Sequence, residues 1–100
     1  MNKNLVKLSL LFLPFYFNAQ EVNISGKVIS ENGEKISGVN ITDKTTGKTF
    51  ITNENGNFSI TANVNDILEF YAPDFSSYTF KIGDKKKYSI VLKKASDKVL

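Results

Sequence analysis

The 100-residue chain contains no cysteine, no histidine and no arginine, and has only two prolines. Without cysteine there is no disulfide, no thiolate nucleophile and no Cys-His zinc set. Without histidine the commonest neutral-pH proton carrier is missing, as is the usual base of a nucleophilic triad. A Ser-Lys pair or a carboxylate pair is the catalytic chemistry left over. The acids, however, fall in turns and at strand ends, with no spacing that favours such a pair. Without arginine the chain lacks the side chain best suited to bidentate phosphate and base contacts, so nucleic acid is not an expected partner. After residue 20 there is also no apolar period of helix length. These absences point to a domain that holds or binds rather than one that catalyses, and no cofactor or small-molecule substrate is expected.

What is present begins with a leader. Lys3 and Lys7 precede an uncharged, mostly apolar run from Leu8 to Phe17, and Asn18, Ala19 and Gln20 follow. That is the build of a secretory signal peptide, and the run is shorter than the ~20 residues a membrane-spanning helix needs. No cysteine follows it to carry a lipid anchor. The expected organisation is a signal peptide over 1–20, a folded domain over 21–94, and a tail or truncated linker over 95–100. Removing the leader takes two of the thirteen lysines, leaving eleven against ten acids, a net charge of +1 rather than +3. The exported part is near neutral, and at about 80 residues its core must hold by packing alone.

The rest of the chain alternates with period two between turn residues, the signature of short half-buried strands. Val22, Ile24 and Val28 share one face of a first strand, with Gly26 in their row as a bulge or a close backbone approach. Glu31-Asn32-Gly33-Glu34 is a turn, and Val39 and Ile41 face inward in a second strand. A third short strand holds Phe50 and Ile51; a fourth carries the inward row Phe58, Ile60 and Ala62; a fifth carries Leu68 and Phe70. Tyr78, Phe80 and Ile82 alternate in a sixth, and Tyr88, Ile90 and Leu92 in a seventh. Seven such strands predict an all-β fold, a seven-stranded antiparallel sandwich or partly open barrel.

The segments Gly26-Lys27-Val28, Glu31 to Gly33, Gly38-Val39-Asn40-Ile41, Thr52 to Phe58, Tyr71-Ala72-Pro73-Asp74-Phe75 and Ile90-Val91-Leu92-Lys93 come in a characteristic order. Together they resemble the carboxypeptidase regulatory-like domain, a prealbumin-like sandwich often found ahead of the plug of TonB-dependent outer-membrane receptors. Two departures stand out: Lys35-Ile36-Ser37-Gly38 replaces the usual Pro-Leu-x-Gly, and Asp74 replaces a corner glycine. The resemblance implies a non-catalytic accessory or docking domain, periplasmic or at the outer membrane of a gram-negative bacterium. Its partner would be an envelope protein or a surface glycan, and any membrane association would come through a barrel or partner outside this chain. A free-standing secreted binding module and an accessory domain of a peptidase are the alternatives.

Candidate partner-surface residues are the aromatics Tyr71, Phe75 and Tyr78 and the loop lysines Lys85, Lys86 and Lys87. The aromatics concentrate near one corner, and the lysines could meet an acidic partner or anionic lipid. Asn53-Glu54-Asn55-Gly56-Asn57 alternates oxygen side chains as a calcium loop does, yet carries one charge. It reads better as a hairpin turn.

Overall fold

The computed structural model describes residues 21–95. The expected leader, residues 1–20, and residues 96–100 of the expected tail lie outside the described residues. Seven strands follow in order: β1 (Glu21–Ser30), β2 (Asn40–Asp43), β3 (Thr49–Ile51), β4 (Asn57–Asn63), β5 (Ile67–Tyr71), β6 (Tyr78–Lys81) and β7 (Lys87–Leu92). They form two sheets, one ordered β4-β1-β7 and the other β3-β2-β5-β6.

Alternation decides which side chains go inside. Phe58, Ile60 and Ala62 of β4 are all buried, and the residues between them are exposed. Across the first sheet they continue in register into Ile24 and Val28 of β1 and Ile90 and Leu92 of β7. The second sheet contributes Ile41, Leu68 and Phe70, and Ile82 closes the core just beyond β6. Fully burying a large apolar side chain contributes about 1.5–3 kcal/mol. This shared layer is therefore the main source of cohesion in a chain without disulfides.

The expected seven-stranded sandwich is present with one correction. Four strand pairings are antiparallel, but β1 and β7 run parallel, from Ser25 opposite Lys87 to Ser30 opposite Leu92. A period-two pattern carries no sign of strand direction. Parallel neighbours need a long crossover instead of a hairpin, and here β2 to β6 supply it.

Gly26 is a close approach and not a bulge. The register runs through it unbroken, opposite Phe58 on one side and Tyr88 on the other. A methyl group there would lie 2.1 Å from the Tyr88 carbonyl oxygen and 3.0 Å from Cζ of Phe58.

The turn before β4 is built around Asn53. Its side-chain oxygen accepts the N–H groups of Asn55 and Asn57, both at 2.9 Å, and Gly56 takes a φ of +76°. Gly56 is also packed, since a Cβ there would sit 2.9 Å from the Val28 carbonyl oxygen. The carboxamide of Asn53 serves the backbone of the turn, but the turn is not the expected hairpin: it carries the chain from β3 in one sheet to β4 in the other.

Candidate functional site

Facing residues of the two sheets build an aromatic row. Phe58 meets Phe70 edge to face at 5.4 Å, Phe70 stacks on Phe80 at 6.0 Å, and Phe80 stacks on Tyr88 at 4.8 Å. Such pairs add about 0.5–1.5 kcal/mol beyond the area they bury. The row runs from the core to the side of the sandwich where β6 and β7 are the sheet edges. It ends at the surface with the Lys85 ammonium 5.2 Å from the centre of the Tyr88 ring.

The structure divides the candidate surface residues. Tyr78 is paired with Phe70 and so lies on the inner face of the second sheet, at its edge, 43% exposed. Tyr71 follows Phe70 by one residue and therefore faces the other way. It joins Asn40 and exposed Ile51 in a row across the outer face of that sheet. Phe75 is half-buried, packs against the core and bridges Lys94. Lys85, Lys86 and Lys87 are exposed in the loop leading into β7 and at its first residue. Tyr78 and the lysines thus share the β6–β7 side of the molecule, while Tyr71 lies on another face.

Three features escape a reading of the sequence. One is Val91, exposed on β7 beside a groove of about 320 Å³ that Ser76, Ser77, Tyr78 and Lys93 also line. Only its strand position, out of phase with Ile90 and Leu92, hints at this. Another is Thr52, a buried side chain in the segment Thr52 to Phe58. Its hydroxyl accepts the Val39 N–H at 2.9 Å and donates to the Ile36 carbonyl at 3.0 Å.

The third is a pair of buried carboxylates, Asp43 at the end of β2 and Asp66 in the turn before β5, both at positions that look solvated in sequence. Asp43 accepts the N–H groups of Thr45 and Thr46 at 2.9 and 3.1 Å. Burial pushes the Asp66 carboxyl above the ordinary value of 3.8, and the neighbouring Asp43 adds to this. A hydrogen bond from the Asn63 N–H opposes the shift in part. Among the described residues no three acids gather as a metal site would require, and no helix is long and apolar enough to cross a membrane. What the surface offers chemically is strand edges, a short groove, exposed aromatics and lysines.

Comparison with known proteins fits this picture. The TonB-dependent receptor P3 of Formosa agariphila is 36% identical over 92 residues, which cover 90% of this chain and 9% of that receptor. The chain thus spans about a tenth of the length of the curated relative it matches. A family model described as the CarboxypepD_reg-like domain matches residues 24–100, from the middle of β1 through every later strand. The chain therefore belongs to the CarboxypepD_reg-like domain family.

Proposed function

We propose that the chain is a non-catalytic docking domain of a TonB-dependent receptor, working on the periplasmic side of the outer membrane in a gram-negative bacterium. The observation that carries this reading is a domain-sized match. Nearly the whole chain aligns at 36% identity with a small part of a receptor about ten times its length. The surface chemistry supports the same reading, because its resources are those of association: unpaired strand edges, an exposed tyrosine and clustered lysines. Sheet edges recruit extended segments through backbone hydrogen bonds, with no reacting group needed. The partner is another envelope protein or a surface glycan.

Fractionation and cross-linking test this in a gram-negative host that expresses the full chain. The domain is expected outside the inner membrane, cross-linked to an outer-membrane receptor, an associated envelope protein or surface glycan. Residence in the cytoplasm, or a hydrolytic activity abolished by one point substitution, would overturn the proposal.

A further inference from the structure

We propose that the free edge of β7 is a strand-acceptor site for an extended, acidic peptide segment of a partner protein, which adds to the first sheet beside β7. The inference rests on the docking role above and gives it a location and a partner chemistry.

The hydrogen-bond pattern defines the site. β7 pairs with β1 along one side only. The Ser25 N–H donates to the Lys86 carbonyl at 2.9 Å, so the even-numbered residues of this stretch turn their backbone groups toward β1. Alternate residues of a strand turn opposite ways, which leaves Lys87, Ser89 and Val91 directed at the open side. Further along, that same side is closed by the chain itself. The Ser76 N–H donates to the Lys93 carbonyl at 2.8 Å, and the Ala95 N–H donates to the Asp74 carbonyl at 2.9 Å. Residues 74–76 thus begin a strand on this edge and then leave for β6 in the other sheet. Among the described residues, no group bonds the backbone of Ser89 or Val91 on the open side. At the closed end, the groove between Tyr78 and Val91 offers room for one side chain of the incoming strand.

Charge identifies the occupant. Exposed Lys85, Lys86 and Lys87 stand at the start of the edge, and exposed Lys93 and Lys94 at its end. Asp84 is the acid of the loop at the start, where cations outnumber it. At the far end Asp74 adjoins and Lys94 shares a groove with Glu31 and Glu34, so the excess of positive charge lies at the Lys85–Lys87 end. A second copy of β7 in this position would set lysine against lysine, and like charges across a strand pair are destabilising. A segment that sets its acids against Lys85, Lys86 and Lys87 and runs a β-branched stretch along Ser89 and Val91 meets this edge. The other edges fit less well. β3 and β6 have three and four residues, and β4 follows Glu54 and carries Asn57, Ser59 and Thr61 on its exposed positions.

The test uses the full chain and two labelled synthetic peptides with the same alternating Thr-Val middle, one flanked by aspartates and the other by lysines. Fluorescence anisotropy should show the aspartate peptide binding at least about tenfold more tightly, a difference of about 1.4 kcal/mol. That preference should shrink as salt rises toward about 1 M, where the screening length falls to about 3 Å. Amide hydrogen exchange should show new protection at Ser89 and Val91, and S89P should abolish binding without changing the far-UV circular dichroism. If S89P unfolds the chain, the exchange measurement alone decides. Equal binding of both peptides, binding without protection of those amides, or no binding would overturn the proposal. So would dimerisation through this edge, or stronger capture by vesicles of anionic phospholipid than by the aspartate peptide. Any of these, alongside envelope location and cross-linking to a receptor or its associated proteins, would sink the acidic-strand site and leave the docking role standing.

Discussion

At the residue scale, Gly26 and Asp66 are the positions with least freedom. Gly26 lets the Tyr88 carbonyl and the Phe58 ring close over β1, and a methyl group would meet backbone at 2.1 Å. Neither a flexible side chain nor a rotamer change can clear that contact. G26A should therefore cost about 3 kcal/mol or more, at the upper end for overpacking, as read from urea denaturation. Asp66 behaves differently. Its carboxyl titrates above 3.8 in the fold chiefly because burial disfavours the charge. The folded state binds that proton more tightly than the unfolded chain does. Stability from this group is thus complete below 3.8 and declines as pH rises through the higher folded value. D66N keeps an oxygen for the Asn63 N–H and removes the charge beside Asp43. Its melting temperature should exceed that of the parent at pH 7, with the gain disappearing in acid. A lower melting temperature at pH 7 would refute the argument.

Turns decide matters at the element scale. The turn between β5 and β6 has Pro73 followed by Asp74 at a φ of +73°, closed by the Phe75 N–H to the Ala72 carbonyl at 3.2 Å. That is a type II arrangement, whose third position favours glycine. D74G should stabilise the chain by roughly 0.5–1 kcal/mol, because the left-handed strain outweighs the flexibility glycine adds to the unfolded state. A loss on thermal melting would mean the aspartate side chain contributes something beyond its backbone. Thr52 joins a different pair of segments, with its hydroxyl shared between Val39 and Ile36. T52V keeps the shape and strands both backbone partners, so a loss of about 1–3 kcal/mol is expected in chemical denaturation. The alternation of Phe58, Ile60 and Ala62 made the buried face of β4 readable in advance, because side-chain period and burial are the same fact in a half-buried strand. The aromatic corner was readable only in part: alternation sets Tyr71 opposite to Phe70 and puts Tyr78 in the row of Phe80, while the pairing of β5 with β6 that brings the rows together is a long-range fact. Tyr71 and Tyr78 are close in sequence, but the odd step from Phe70 turns Tyr71 outward, while pairing with Phe70 keeps Tyr78 inward. The burial of Asp43 and Asp66 was hidden for a related reason. A polar residue at a strand end or in a turn looks solvated in sequence, and it is the meeting of the two segments, with the Lys44 N–H on the Ile67 carbonyl at 2.7 Å, that buries these two.

At the scale of the whole molecule, the parallel alignment of β1 and β7 determines how the domain answers to tension. Glu21 leads into β1 at one end of the ladder, and the chain leaves β7 after Leu92 at the opposite end. Pulling the two ends apart draws these neighbouring strands along each other lengthwise. The rungs from Ser25–Lys87 to Ser30–Leu92 then share the load together and cannot be peeled one by one. Forced unfolding is governed by the unfolding rate, so a shared load raises the force the domain withstands. Stretching through residues 21 and 95 in an optical trap should give one abrupt rupture. Stretching the antiparallel β2–β3 pair from its open end, through Asn40 and Ile51, should unzip it at lower force, and equal forces in the two directions would contradict the shear geometry. A domain with this strand arrangement, tethered at both ends, would in this way pass a pull along the chain without coming apart.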